Sequence, residues 1–339
     1  MSCCIGAQAV DRRAEMEKSK KTTIGAMLMK RSTGLAMILI ILALGLRAPL
    51  FFKAANLLTV FKQSGILCMT ALGITTVLIV GGFDMGAGAL VQLVCNLAAG
   101  LLIAHGNPGI SWAAGLGVGV AFGLINACLV VFVHIPTFVT TLGTMYLMNG
   151  LTALYNGGTA LAIKKIPGFT VLAQGDLFGI PILFLWVIVM CALLNFFFKK
   201  TRTGLRMYAC GENRNAAKLH GLNVGKYLIL GYAMSGGLLG MTGVLQCAYN
   251  YGASAVDYGM DFLVKALASA YLGSTFSRTG ELSMIGTVIS GVFIAALSNI
   301  LIINGFSNQI VSGVLGFVLI LSILLTVIKK RGIGQVTIF

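Results

Sequence analysis

Charge is what this chain has least of. Lys, Arg, Asp and Glu together make 10% of its 339 residues, against roughly 25% in ordinary soluble domains. Nine acidic residues stand beside 24 basic ones, and 58% of the chain is hydrophobic, with a mean hydropathy of +0.94. That balance excludes a soluble globular protein, because the polar side chains are too few to cover the apolar surface. Catalytic residue types are equally sparse. The three histidines (His105, His134, His220) lie between apolar segments, and neither an HExxH nor a Gly-x-Ser-x-Gly arrangement occurs, which argues against an intramembrane enzyme. No G-x-x-x-x-G-K-[ST] occurs either, so any ATP hydrolysis is expected on a separate polypeptide. The eight cysteines show neither metal-ligand spacing nor a disulfide framework, and no metal or cofactor is expected. Cys68, Cys95, Cys128, Cys191 and Cys247 sit inside apolar runs and read as small buried hydrophobes. The adjacent pair Cys3 and Cys4 is either acylated or part of a free tail.

Apolar runs and glycine are what the chain has in abundance. The 44 glycines suit membrane helices, where they let backbones approach closely. A spanning helix needs about 20 mostly apolar residues, fewer where neighbours shelter it. Ten segments qualify: 33–52, 65–80, 88–104, 112–133, 138–155, 181–198, 228–248, 262–272, 284–303 and 309–328. The eighth is too short to span alone, so it is either extended by its flanks or a broken helix. The expected fold is an all-α integral membrane bundle of about ten transmembrane helices, with a tail over 1–32 and a single transmembrane domain over 33–339. The hydrophilic stretch before the first segment shows no secretory signal, so the first helix is expected to remain.

A net charge of +15 would suggest nucleic acid in a soluble domain, but here the cations cluster at the ends of apolar runs, and the expected contact is membrane lipid. Placing both termini in the cytoplasm puts 18 Lys and Arg inside and 5 outside, with Lys265 left over. That asymmetry favours an even number of helices with both ends inside. The two longest hydrophilic interruptions then fall on opposite faces, 156–180 outside and 199–227 inside, the latter between the sixth and seventh helices. Gly115, Gly119 and Gly123 recur every four residues, as do Gly236 and Gly240; internal packing explains both stripes better than an oligomer contact.

Within the inner loop, 210–222 reads CGENRNAAKLHGL. Asn213 is a plausible N-cap, Ala216, Ala217, Lys218 and Leu219 form helix readily, and Gly221 is a stop. Such a short helix is either a connector or an element whose small side chains insert into a groove on a partner. Asp84, between Gly82 and Gly86, is either the N-cap of the third helix or a gate residue at the inner interface. Asp257, Asp261 and Lys265 recur every four residues. The last two can pair, with Lys265 reaching toward an outer belt containing Tyr249, Tyr251 and Tyr258, or Lys265 can face a pathway.

Four places resemble a known family, the permease subunits of bacterial ATP-binding cassette importers of the ribose, xylose and galactose type. Asn56, Leu57 and Leu58 resemble the start of its second helix. Gly81, Gly82, Phe83, Asp84, Met85 and Gly88 resemble its Gly-Gly-Ile-Asp-Leu-Ser-Val-Gly-Ser stretch. Thr203, Gly204, Gly211, Asn213, Ala216, Ala217, Gly221, Asn223 and Val224 match its cytoplasmic coupling segment, and Leu272, Gly273, Thr275, Gly286 and Thr287 its Leu-Gly-Gly-Thr and Gly-Thr pair. The resemblance spans about 56–330. It implies a permease in a bacterial inner membrane, a second copy or related permease subunit, two cytoplasmic ATPases and an external solute-binding protein. It also implies that Asn213, Ala216, Ala217, Lys218 and Gly221 couple the permease to the ATPases, and that Asp84, Asp261 and Lys265 are candidates for the translocation path or gate. The chain departs from the pattern at Phe83, Gly86, Ala89 and Ser274, and Lys265 stands where many sugar permeases resembling this one carry an acid.

The function expected is inward transport of a small polar solute, a sugar or sugar-like molecule, with a nucleoside or sugar acid as variants. An ion-coupled secondary transporter is the alternative, and would ordinarily need more mid-membrane ionisable residues than these. A scaffold or receptor without transport is the third reading. Topology is directly testable. In intact cells an impermeant thiol reagent applied from outside is expected to label Asp176→Cys and not Asn215→Cys; equal labelling of both overturns the ten-helix arrangement.

Overall fold

The computed structural model describes residues 34–163, 166–177, 179–253, 258–277 and 279–331. The tail 1–32 with Cys3 and Cys4, the cations Lys164, Lys165 and Arg278, and Asp257 lie outside the described residues. The main elements are α1 (Gly34–Gly45), α2 (Ala54–Ile79), α3 (Ala87–His105), α4 (Pro108–Val131), α5 (Thr137–Asn156), α6 (Pro167–Gln174) and α7 (Ile182–Lys200). They continue with α8 (Arg202–Glu212), α9 (Arg214–Leu219), α10 (Val224–Asn250), α11 (Tyr258–Ser274), α12 (Met284–Ile303) and α13 (Asn308–Arg331). Two short antiparallel pairings, Leu161–Ala162 with Gly252–Ala253 and Asp176–Leu177 with Ile180–Pro181, stitch the 156–181 region together.

Nine of the ten apolar segments each lie on one of these helices, while the first, 33–52, holds only α1 and a short 3-10 helix at Pro49–Phe52; seven helices (α2, α3, α4, α7, α10, α12, α13) are long and apolar enough to cross a membrane. Burial divides them. In α2, α10 and α12 67% of the apolar window is buried, and in α3 72%, whereas α4, α7 and α13 bury 28% or less. The first four form the interior and the other three present apolar faces outward, as lipid requires.

The elements differ from the sequence expectation in three places. First, α2 begins at Ala54, not at 65, although Asn56, Lys62 and Gln63 interrupt its apolar run. Asn56 Nδ2 donates to Phe51 O and to Asn299 Oδ1 on α12, both at 3.0 Å, and Lys62 pairs with Asp176 at 3.2 Å, so the polar groups are satisfied within the protein. Second, the first segment is not one helix to 52: α1 ends at Gly45 and a 3-10 helix follows at Pro49–Phe52, whereas the short eighth segment is one continuous helix of 17 residues, the flank-extended form of the two expected. Third, the 199–227 loop contains two helices. Thr201 caps α8 by accepting from Gly204 N at 3.0 Å, and Asn213 ends α8 and begins α9.

The glycine stripes explain the packing of the interior. A Cβ on Gly119 would stand 2.2 Å from Gly236 O, one on Gly236 2.2 Å from Gly119 O, one on Gly123 2.3 Å from Tyr232 O and one on Gly240 2.4 Å from Gly115 O. The two stripes therefore face each other, backbone on backbone, across α4 and α10, confirming the internal-packing reading. The same device joins α3 to α11 at Gly88 and Gly259 and α11 to α12 at Gly273 and Gly286. Buried polar pairs fix the register: Thr75 with Thr287 at 3.2 Å, Asn96 with Asn156 at 2.9 Å, Asn126 with Thr144 at 2.8 Å and Ser274 with Thr326 at 2.8 Å. Each such bond contributes about 0.6 kcal/mol in a membrane interior.

Gly119→Ala is expected to cost about 1–3 kcal/mol of detergent-phase stability, because the methyl group must push two backbones apart. Gly117→Ala, where a Cβ meets nothing within 4 Å, is expected to be neutral or slightly stabilising. Equal melting temperatures for the two variants would contradict the backbone contact.

Candidate functional site

The motif Gly81–Gly88 forms an elbow between α2 and α3. Helix α2 closes with Gly81 at φ +76°, in the left-handed region. Gly81 N donates to Leu78 O and Gly82 N to Val77 O, both at 3.0 Å. This is the glycine-dependent C-terminal closure in which two orphan carbonyls are satisfied by the turn itself. The chain then runs irregularly through Phe83, Asp84 and Met85 before Gly86 caps α3.

Buried irregular backbone must find partners within the protein, and three helices supply them. Tyr232 Oη on α10 donates to Phe83 O at 2.8 Å. Thr141 on α5 accepts from Met85 N at 3.1 Å and also reaches Phe83 O. On the side of the 199–227 segment, Gly211 of α8 lies so close that a Cβ there would stand 2.0 Å from Ile79 O, and Arg214 Nη2 of α9 donates to Gly81 O.

Asp84 is buried inside this elbow. Its Oδ1 accepts from Gly86 N at 2.9 Å, but Gly86, not Asp84, holds the N-cap position of α3, which corrects the N-cap expectation. The reason is the tight turn: the carboxylate satisfies the amide two residues on and the helix starts one residue later. Among the described residues no cation lies within ion-pairing distance of it. Burial pushes its carboxyl up to about 6, opposed in part by the Gly86 amide.

The 213–221 segment folds as read, with a difference in what it offers. Asn213 Oδ1 accepts from Ala216 N at 2.9 Å. Gly221, at φ +74°, closes α9 as Gly81 closes α2, with Gly221 N on Lys218 O and Leu222 N on Ala217 O, both at 3.0 Å. Ala217, however, is buried in this chain, so it is not available to fill a partner's groove; the outward face carries Asn213, Asn215, Lys218 and Leu219, with Ala216 half-buried. Leu219 is 89% exposed.

Asp261 and Lys265 lie elsewhere, on α11. Lys265 Nζ pairs with Asp261 Oδ2 at 2.5 Å, and Asp261 Oδ1 accepts from Ser312 Oγ of α13 at 2.8 Å. The pair thus ties α11 to α13 and is not joined to the elbow. Sequence reasoning missed Thr141, Tyr232 and Arg214. For Arg214 a signal existed: a cation on the first residue of a helix opposes the helix dipole. Its side chain instead reaches the negative C-terminal end of α2, where a cation stabilises by about 0.3–1 kcal/mol.

Residues 56–323 match the family described as "Branched-chain amino acid transport system / permease component". The chain is similar to the ribose import permease protein of Escherichia coli strain K12, 28% identical over 310 residues that cover 88% of this chain and 94% of that protein. It is similar also to the D-allose transport system permease protein of the same strain, 28% identical over 291 residues (85% and 89% covered). The autoinducer 2 import system permease protein of Yersinia enterocolitica is 32% identical over 269 residues (77% and 81% covered). The matched stretch takes in the start of α2, the elbow, α8 with α9, and the α11–α12 contact, and the chain belongs to this family of transport permeases, as a multi-pass plasma-membrane subunit of the kind found in ATP-binding cassette importers of sugars.

Proposed function

We propose that the chain, with a second copy or a related permease subunit, forms the solute pathway of an importer driven by two cytoplasmic ATPases and supplied by an external solute-binding protein. The observation that carries this reading is the bond from Arg214 to Gly81 O. It joins a short helix exposed on one side of the bundle to the elbow that holds Asp84. In this proposal the ATPases grip the outward face of α9, their closure displaces it, and the elbow follows through Arg214 and Gly211, carrying the ends of α2 and α3 as rigid bodies. The coupling residues are Asn213, Ala216, Lys218 and Gly221 as first read, with Leu219 and Arg214 added and Ala217 acting as the internal anchor.

The full topology belongs to the same proposal: ten spanning helices over a single domain from 33 to 339, a cytoplasmic tail over 1–32, and both termini inside. Its support is geometric as well as electrostatic. The Lys62–Asp176 pair lies about two turns inside the start of α2 and the Arg214–Gly81 bond just past its other end. The 17 residues between Lys62 and Ile79 rise about 26 Å, close to a hydrocarbon thickness.

The proposed solute is a sugar or sugar-like molecule, since the relatives are named for ribose, D-allose and autoinducer 2. A sugar acid would call for a free cation in the pathway, and Lys265 is held by Asp261. Asp84 is proposed as the gate residue, and the ion-coupled alternative rests on that same carboxyl.

Leu219→Glu is expected to lower ATPase association at least about tenfold, as loss of one buried Leu contact implies, while leaving membrane insertion unchanged. Arg214→Gln is expected to keep ATPase association and to reduce solute transported per ATP hydrolysed. Normal solute-driven hydrolysis by Leu219→Glu refutes the coupling role. Ala217→Glu is a poor probe, because it buries a charge within the permease itself.

Asp84 predicts a pH dependence. Its folded carboxyl, near 6, lies above the ordinary 3.8, so the folded state holds the proton more tightly. The stability this contributes is present at low pH and is lost as pH rises from about 4 through about 6, up to roughly 3 kcal/mol. Asp84→Asn keeps the acceptor for Gly86 and removes the titration. Its melting temperature relative to wild type should therefore rise between pH 4.5 and 6.5, and a constant difference across that range would show that Asp84 does not titrate there.

A further inference from the structure

A cavity of about 340 Å³ opens between α8 and α10 on the side of the bundle that carries α9, and its lining is chemically graded. Arg206 of α8 and Lys226 of α10 form one part; Ile229, Leu230 and Ala233 of α10 form the rest. On α10 the spacing from Lys226 to Ile229, Leu230 and Ala233 is three, four and seven residues, so all four share one helix face. The rise from Lys226 to Ala233 is about 10 Å. The cations therefore sit at the end of a candidate membrane span, and the apolar residues lie one to two turns deeper into it.

The polar end is built, with Arg206 donating to Tyr227 and, among the described residues, no acid beside either cation. Both cations are exposed, and among the described residues neither has a carboxylate within ion-pairing distance. Two hydroxyl-bearing residues, Thr203 and Tyr227, line the same end, with Tyr227 Oη 3.5 Å from Arg206 Nη1. Beside the cavity, the outward face of α8 carries Arg202 and the 55%-exposed Leu205, with Arg206 four residues on from Arg202, as on a helix lying in a membrane interface. Two cations and two hydroxyls over an apolar floor match a phosphate group attached to acyl chains; a free anion has no use for the floor, and a soluble protein partner none for its descent into the span.

We propose that this cavity is a binding site for an anionic phospholipid, whose headgroup phosphate is held by Arg206 and Lys226 and whose acyl chain lies against Ile229, Leu230 and Ala233. Placing it in the cytoplasmic leaflet rests on the topology proposed above; the site itself does not. The lipid wedges between α8, which leads into the α9 segment, and α10, so its occupancy holds α8 against the bundle.

The test uses the full purified chain in detergent, with retention of added phosphatidylglycerol and of phosphatidylcholine compared by native mass spectrometry. Wild type is expected to retain phosphatidylglycerol selectively. The double variant Arg206→Gln, Lys226→Gln is expected to retain it roughly 25-fold less, about fivefold per cation. Arg202→Gln, on the same helix face but outside the cavity, is expected to behave as wild type, and unchanged melting temperatures in lipid-free detergent show that the variants fold. Equal loss from Arg202→Gln would mean diffuse charge attraction and would overturn the site. Complete displacement of the lipid by millimolar inorganic phosphate would assign it to a free anion. Unchanged lipid retention by the double variant, with lost ATPase co-purification, would assign the surface to the ATPase instead. Transport is not read in this assay, so its failure leaves the importer reading standing, and failure of that reading leaves the lipid result intact.

Discussion

The contact on which the rest of this bundle depends is the crossing of α4 and α10, where glycine faces glycine and the two backbones touch. In lipid no hydrophobic force draws one apolar helix to another, because the acyl chains are as apolar as leucine. Association then depends on dispersion at close range and on weak Cα–H contacts to carbonyls, both of which need side chains to be absent. Gly115, Gly119 and Gly123 meet Tyr232, Gly236 and Gly240 in this way. Helix α10 also packs on α2 and α3. The position of the elbow between those two helices is thus set by a seam made of missing side chains.

That seam makes an irregular elbow affordable. Along Gly81–Gly86 the amides of Gly81 and Gly82 close on α2 and that of Gly86 on Asp84, while the remaining partners come from α5, α9 and α10. Beyond the closure at Gly81 and the Asp84 turn, the elbow's geometry therefore follows from where three helices stand. Arg214 of α9 and Gly211 of α8 contact it on one side, and Tyr232, lying in the glycine seam, on the other.

The architecture was legible in the sequence because membrane solvation is a strong constraint: apolar runs had to be helices, and periodic glycines had to be close contacts. Nine of the ten segments each lie on one helix, and the glycine stripes pack internally as their spacing suggests. Boundaries failed where polar residues were satisfied by distant partners, as at Asn56 with Asn299, which hydropathy along one segment cannot register. The site was legible in part. Asn213 and Gly221 act as their residue types predict, because capping is local chemistry. Thr141 and Tyr232 were invisible, since a hydroxyl on a membrane helix bonds its own turn as readily as a neighbour. Ala217 misled for a similar reason: a small residue suits a partner's groove and the chain's own interior equally well.

Helix α9 has six residues, too few to be stable alone, and yet it is ordered in the folded chain; if it couples as proposed, it must also move without melting. Four local devices hold it: the Asn213 cap, the glycine closure at Gly221, the buried Ala217 and the reach of Arg214 to α2. Three of these are intrinsic to the segment or to its seat on α8 and α10. The fourth places a cation where its own helix dipole disfavours it. A local choice that conflicts with local preference marks a position selected by something beyond the element, and the compensating gain here lies at the far side of the contact, on the carbonyl end of α2. Arg214 is therefore costly to α9 and useful to the elbow, and its contact ties the two elements together.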